Sequence, residues 1–448
     1  MRILLINPPK SPVNLIAHYA PSDIKAELNK FGLFGPPLSL CALAGNLTDY
    51  EVDIFDLKAE YDLGLQLGMD EAVDRKLAEF KPDIVGVSVL TSDYNRGCRI
   101  LEIAKRFSPD ILTIAGGVHA SLAPNHFDLP YIDIVVTGHG KMVFRDIVLA
   151  RESGKGFQDI PNIYVRSDGN MKFTKSMNIH RNSENMLSHI PSNRKLIRKY
   201  DDAYRVGVNK ERLTFIESSY GCPNKCTFCS IWPVNRGEYI NRSIDDVIKE
   251  IKTLDGYEVI RFVDANIMGD FEYADRLFDR LIKEKVNKKL VMDIRSDTAV
   301  YHPELIEKAA KAGLGVAIVG MESENDEDLA FYNKESSRDI VLKSIDTFNK
   351  NGIDVRGLFI VNPDYEEKDF KRLNCFLTEH DLKHAAITVM TPFPGTPLYD
   401  EVKDKITIHD LDYYNLFNSV FKTKLPEEEF YCRIAEICRM RKSMHNFK

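Results

Sequence analysis

Short apolar runs without polar alternation recur along this chain, each cut off by turn residues, and they constrain the fold more than any other feature. Ile3-Leu4-Leu5-Ile6 runs into Asn7-Pro8-Pro9, and comparable runs occupy residues 52–55, 84–89, 111–115 and 132–136. Such runs suit parallel strands covered on both faces. Helical stretches lie between them, as at 38–47 and 99–107. The alternation predicts a doubly wound α/β sheet over residues 1–150, of the kind that binds ligands at the carboxyl ends of its strands. No G-x-G-x-x-G opens the first helix, which argues against a nicotinamide or flavin dinucleotide.

A second series follows a polar stretch at 151–204 that reads as a linker, with a hairpin turn between Arg166 and Lys172. Strands are expected at 214–217, 259–263, 290–294, 315–319, 355–361 and 385–390. Helices are expected at 244–254, 271–284, 303–312, 338–351 and 367–379. This pattern predicts a partial (β/α)6 barrel over 205–400, with reactive groups at the carboxyl ends of its strands. Residues 401–448 read as a small helical region, with helices at 411–417 and 427–440.

The first strand of that series delivers Gly221-Cys222-Pro223-Asn224-Lys225-Cys226-Thr227-Phe228-Cys229. Three cysteines at C-x3-C-x2-C can hold three corners of an iron–sulfur cube and leave the fourth iron without a protein ligand. A structural zinc usually takes four ligands, so zinc here would need a distant one. The eight cysteines of the chain are otherwise sparse, which argues against a secreted disulfide scaffold. Cys432 and Cys438 share no helix face and read as structural thiols. A net charge of −7 gives no basic footprint for nucleic acid. No run approaches the ~18 apolar residues of a membrane span, and the N-terminus does not read as a signal peptide. A cytoplasmic, monomeric chain working at low oxygen is expected.

Polar residues mark the strand ends. In the first half they are Asn7-Pro8-Pro9, Ser88 with Thr91, Gly116-Gly117-Val118-His119, and Thr137-Gly138-His139-Gly140. In the second half they are Asp264-Ala265-Asn266, Arg295-Ser296-Asp297, Gly320-Met321-Glu322-Ser323, Asn362-Pro363 and Thr391-Pro392. Each could be a capping or turn residue taken singly. With the cysteine loop, the whole resembles the cobalamin-dependent radical S-adenosylmethionine (radical SAM) enzymes, in particular the class that methylates carbon. The matching pieces include LLINPP at the start, GPPLSLCALAGNL at 35–47, PDIVGVSVLT at 82–91, AGGVHAS at 115–121 and VVTGHGK at 135–141. Phe228 matches the family's aromatic residue before the third cysteine.

By that resemblance the fold is a Rossmann-like cobalamin-binding domain, a radical SAM barrel and a helical C-terminal region. Cys222, Cys226 and Cys229 would hold a 4Fe–4S cluster. Glu322, Ser323 and Arg295 would hold the aminoacyl part and ribose of S-adenosylmethionine, because a carboxylate suits an ammonium and a guanidinium suits a carboxylate. Asp264 would hold ribose hydroxyls and the backbone near Phe228 the adenine, with Asn266 in the same S-adenosylmethionine site. Asn7, Pro8, Pro9, Ser88, Thr91, Gly116, Gly117, His119, Gly138, His139 and Gly140 would line cobalamin, with His119 at the ligand's edge rather than on cobalt. Tyr413 and Tyr414 are candidates for the substrate pocket. There are departures: many relatives are acidic where this chain has His139 and Lys141, and the D-x-H-x-x-G motif of cobalt-ligating histidines is absent. Asn362-Pro363-Asp364-Tyr365-Glu366 also replaces the common glycine-x-proline-glycine-glutamate.

The implied reaction is methylation of an unactivated carbon with S-adenosylmethionine and methylcobalamin, driven by an electron donor such as ferredoxin or flavodoxin. The cofactors carry the hard chemistry, and the protein orients them and excludes water. The substrate would be a peptide, a protein or a small molecule; one idea is a methylase like that acting on a glutamine of methyl-coenzyme M reductase. Alternatives are a radical cyclase or ring-rearranging oxidase without methyl transfer, and a non-enzymatic cobalamin-binding regulator, against which the intact cysteine loop speaks.

Overall fold

The computed structural model describes residues 1–28, 35–176, 190–207 and 209–440. The chain divides into two compact units, one of residues 1–12 and 36–204, the other of residues 13–35 and 205–448.

The first unit is built on a seven-stranded sheet. Its strands are β1 (Arg2–Asn7), β2 (Glu51–Asp56), β3 (Ile84–Ser88), β4 (Leu112–Gly116), β5 (Ile134–Val136), β6 (Ile163–Ser167) and β7 (Asn170–Phe173). Their order is β2-β1-β3-β4-β5-β6-β7. The first five run parallel, as the continuous apolar runs require, and residues 3–6 are wholly buried. Burial of each such aliphatic side chain contributes about 1.5–3 kcal/mol. β6 and β7 then add an antiparallel hairpin to the edge.

That hairpin corrects the reading of 151–204 as a linker. The described part of this stretch belongs to the first unit, while 177–189 lie outside the described residues. Its far end is fastened by buried tyrosines: Tyr204 OH donates to Asp56 Oδ2 at 2.5 Å and Tyr200 OH to Glu60 Oε1 at 2.9 Å. The basic run at 194–200 forms a 3-10 helix with Arg194, Ile197 and Tyr200 buried.

The second unit is a curled sheet of seven strands. They are β8 (Arg205–Val206), β9 (Glu211–Ile216), β12 (Val259–Phe262), β13 (Lys289–Arg295), β14 (Leu314–Glu322), β15 (Asp354–Val361) and β16 (Ala386–Val389). The order β16-β15-β14-β13-β12-β9 is parallel throughout, with β8 antiparallel on the edge. A two-stranded ribbon, β10 (Ser219–Gly221) and β11 (Tyr239–Asn241), brackets the cysteine loop. Helices cover the outer face at Ile244–Lys252, Phe271–Lys283, Pro303–Lys311, Arg338–Lys350 and Glu367–Glu379, close to the predicted spans. Three of them start on side-chain caps: Asp270 on Tyr273 N, Ser337 on Ile340 N, and Glu366 paired with Asp369 in a capping box.

Two expectations fail here. Residues 13–35 belong to this unit and not to the first: Leu15 N donates to Asn418 Oδ1 at 2.8 Å, and the Tyr19 ring stacks on Tyr431 at 5.7 Å. Residues 411–417 hold only a short 3-10 turn, Leu411–Tyr413, in place of a helix. The expected helix at 427–440 is present as Glu427–Arg439, burying Phe430, Ile434 and Ile437; residues 441–448 lie outside the described residues. No helix among the described residues is long and apolar enough to cross a membrane.

Candidate active site

The ribbon β10–β11 presents the cysteine loop, and its first residue must be glycine. Gly221 has φ +85°, and a Cβ there would lie 2.0 Å from Glu238 O. Cys226 is buried, and Cys222 and Cys229 are half-buried. Burial pushes the Cys229 thiol up to about 11, so its conversion to an iron ligand must release a proton. N–H groups point at the sulfurs: Ile231 N lies 3.4 Å from Cys229 Sγ, and Arg295 Nη1 lies 3.9 Å from Cys226 Sγ. Such donors stabilise thiolate charge. Among the described residues, no three His, Cys, Asp or Glu side chains are grouped to share one metal ion.

The chain after β14 clasps this loop. Thr227 N donates to Tyr332 O at 3.1 Å and Thr227 Oγ1 to Phe331 O at 3.3 Å. Asn333 Nδ2 donates to Lys225 O at 2.9 Å, and Asn224 Nδ2 to Glu335 Oε2 at 3.4 Å. Asn333 and Glu335 both hold left-handed backbone, at φ +49° and +53°. The Phe228 ring meets Tyr332 edge-on at 5.4 Å.

Beside the loop lie the ends of β13 and β14. Arg295 is buried, paired with Asp297 Oδ2 at 2.7 Å, and donates from Nη2 to Lys334 O at 2.7 Å. A register shift after Gly320 and a left-handed Glu322, φ +62°, turn the Glu322 carboxylate out of the strand. Its Oε1 accepts from Lys334 Nζ at 2.8 Å, with both side chains almost fully buried. Ser323 Oγ donates to Asp328 Oδ2 at 2.8 Å.

In the first unit, the strand ends form a packed rim. Asn7 Nδ2 donates to Asp56 Oδ1 at 2.9 Å, and Pro8 and Pro9 are buried. Gly117, φ +100°, permits a close approach to β3's exit, since a Cβ would lie 2.6 Å from Val89 N. Gly138, φ +68°, is different: nothing lies within 4 Å of its would-be Cβ. Gly138 N donates to Ser121 Oγ at 2.8 Å, and the helix Gly140–Glu152 starts just beyond half-buried His139. Leu90, after Ser88 on the same rim, is 42% exposed.

Residues 216–374 match the radical SAM superfamily, and residues 24–148 match the B12 binding domain. The chain is a cobalamin-binding radical SAM enzyme. Its cofactors are a 4Fe–4S cluster, S-adenosylmethionine and cobalamin. It is 27% identical over 409 residues to an uncharacterised methyltransferase of Pyrococcus horikoshii, covering 89% of this chain and 83% of the relative. It is 26% identical to the anaerobic magnesium-protoporphyrin IX monomethyl ester cyclase of Rubrivivax gelatinosus, covering 86% and 70%. Among solved structures, the radical SAM methyltransferase TsrM of Kitasatospora setae, with cobalamin and 4Fe–4S cluster bound, shares the fold at TM-score 0.67 and 16% identity, covering 91% and 78%.

The site of this radical SAM enzyme fits its cofactors unevenly. The cysteine loop fits a cluster, with three thiols on one loop and donors already aimed at two of them. Glu322 fits an ammonium, because its Oε2 carries no hydrogen bond among the described residues. At the rim, Gly138 leaves its surroundings open.

Other expected contacts are used internally. Asp264 accepts from Ser218 N at 3.0 Å, Ser218 Oγ at 2.7 Å and Ser219 Oγ at 2.5 Å, so its carboxylate braces the approach to the cysteine loop. Asn266 differs: its backbone carbonyl accepts from Tyr239 OH at 3.0 Å, but its buried side-chain Oδ1 has no hydrogen-bond partner among the described residues. His119 does not reach a ligand edge: it is fully buried, with Nδ1 3.2 Å from Thr91 Oγ1 and Nε2 3.1 Å from His126 Nδ1. Thr91 is thereby buried too. Tyr414 is buried with its OH on Ile408 O at 3.3 Å, which removes it from an open pocket, while Tyr413 is half-buried. Lys334, Asn333 and Tyr332 were not singled out from sequence; the only signal was their position twelve residues or so past a strand-end glutamate.

Proposed function

We propose that this enzyme transfers a methyl group from S-adenosylmethionine, by way of cobalamin, to an unactivated carbon of its substrate. The observation that carries the reading is the union in one chain of the cysteine loop, flanked by Arg295 and Glu322, with a B12-binding unit. Relatives named as methylases support it, among them the hopanoid C-3 methylase of Methylococcus capsulatus, 23% identical over 409 residues. When bound, the reduced cluster and S-adenosylmethionine supply hydrogen abstraction and the cobalamin supplies methyl. The chain's own part is positional. Glu322 takes the ammonium of S-adenosylmethionine on Oε2, the clasp at 331–335 fixes the loop, and Arg295 sets charge beside Cys226. Ferredoxin or flavodoxin would supply the electron, in the reducing cytoplasm. We place the substrate among peptides, with a glutamine peptide of methyl-coenzyme M reductase as the first to test and tetrapyrroles as the comparison.

The cyclase reading is favoured by the relatives named as anaerobic magnesium-protoporphyrin IX monomethyl ester cyclases, those of Rubrivivax gelatinosus, Cereibacter sphaeroides and Synechocystis. The two differ in by-products. Anaerobic turnover with methyl-labelled S-adenosylmethionine should give 5′-deoxyadenosine and S-adenosylhomocysteine in equal amounts with labelled product. 5′-Deoxyadenosine without S-adenosylhomocysteine, and no label on any substrate carbon, would overturn methyl transfer in favour of cyclisation.

A further inference from the structure

Among the described residues, Lys334 is the one cation that pairs with Glu322, the glutamate assigned to S-adenosylmethionine, and the surrounding backbone is shaped around that contact. Gly320 lies beneath the pair: a Cβ there would fall 2.4 Å from Glu322 Oε1 and 2.8 Å from Lys334 Nζ. Any other residue at 320 would displace one partner. The bulge after Gly320 and the left-handed Glu322 bring the carboxylate to the ammonium, at a conformational cost that strands avoid without compensation. Lys334 itself hangs on the clasp, between left-handed Asn333 and Glu335, and its carbonyl receives Arg295. One residue therefore binds Glu322 with its side chain and Arg295 with its backbone, while its neighbours hold the cysteine loop.

We propose that Lys334 is a positioning residue for S-adenosylmethionine: it holds Glu322 by Oε1, so that Oε2 faces the ligand's ammonium, and ties that site to the cysteine loop. A buried carboxylate without a cation would be costly and free to rotate. With Lys334 in place, 2.8 Å from Oε1, it keeps one orientation. The inference rests on the radical SAM assignment and not on which reaction follows cleavage, so it stands or falls independently of methyl transfer.

The test uses the full chain, anaerobically reconstituted with iron and sulfide. S-Adenosylmethionine affinity is read by titration of the reduced cluster's electron paramagnetic resonance signal, with no substrate present. Lys334→Met should retain wild-type iron and bind S-adenosylmethionine at least about tenfold more weakly, as expected for loss of a charge-assisted bond. Lys334→Arg should recover part of that loss. Glu322→Gln should weaken binding as well, and Lys334→Met added to it should cost little more, because the lysine acts through the glutamate. Wild-type or tighter binding by Lys334→Met would overturn the proposal, since the lysine would then merely fill the ammonium's place. Full additivity in the double variant would also overturn it. If Lys334→Met loses iron, the comparison of Lys334→Arg with Glu322→Gln decides: wild-type affinity in Glu322→Gln refutes the positioning role.

Discussion

Replacing Asp264 separates a ligand contact from a brace. The carboxylate is 2% exposed and receives the Ser218 amide and two serine hydroxyls at 2.5 to 3.0 Å. Burial pushes its carboxyl up, and the serine hydroxyls and amides oppose that shift. In Asp264→Ala the hydroxyls can turn elsewhere, but the amide of fully buried Ser218 is left without its acceptor. An orphaned donor costs ~1–3 kcal/mol and a lost bond to a charged group ~1.5–3 kcal/mol, and release of the buried charge returns part of this. The net expectation is about 3 kcal/mol, or roughly 6–12 °C in the second unit's melting temperature. Asp264→Asn keeps a carbonyl for the amide and should lose about 1 kcal/mol. The assay is thermal unfolding by circular dichroism, paired with iron content after reconstitution. Stability and iron should fall together, far more in the alanine variant. Wild-type melting in both variants with a selective loss of S-adenosylmethionine affinity would refute the brace and restore the ribose contact.

Two further outcomes follow from the geometry. Reconstituted wild-type protein should hold about four irons per chain, and the Cys222→Ala, Cys226→Ala, Cys229→Ala triple variant should lose them; iron retained at wild-type level would sink the cluster assignment. Burial pushes His119 down to about 3, and the beside-lying His126 is lowered as well. Since an unfolded histidine takes up its proton near pH 6.5, the stability that depends on His119 staying neutral is fully present above that pH and is lost as pH falls toward 3, by up to about 1.4 kcal/mol per pH unit, with His126 acting in the same direction. Melting curves from pH 7 to 4.5 should show this slope, and His119→Asn should flatten it; an unchanged slope would refute the coupling.

What was legible in the sequence was local or periodic. The parallel strands announced themselves because strands covered on both faces must be apolar throughout. The cluster ligands did so because three of them sit within one loop, where spacing alone brings the thiols together. The segment at 13–35 was not legible: its helices, Leu15–Tyr19 and Ser22–Leu28, are too short to show a period, and their place depends on Asn418 and Tyr431 some four hundred residues on. The hairpin at 163–173 was readable as a turn, but its pairing with β5 was not, because edge addition leaves no mark on a short strand.

The site residues show the same division at finer scale. A polar residue at a strand end can face a ligand or brace the next loop, and residue type alone does not choose between them. Asp264 and His119 both stand where ligand contacts belong, yet each is consumed by neighbours that the sequence does not place beside it. Glu322 escapes this because the bulge at Gly320 swings it away from the strand, and because Lys334 occupies one oxygen and leaves the other. A left-handed glutamate over a glycine whose added Cβ would push on both members of the Glu322–Lys334 pair is a feature that only coordinates reveal. The clasp explains why that strain is kept: it makes the cysteine loop, Arg295 and Glu322 mutually dependent, so that the iron ligands and the groups beside them are assembled by one short stretch of chain.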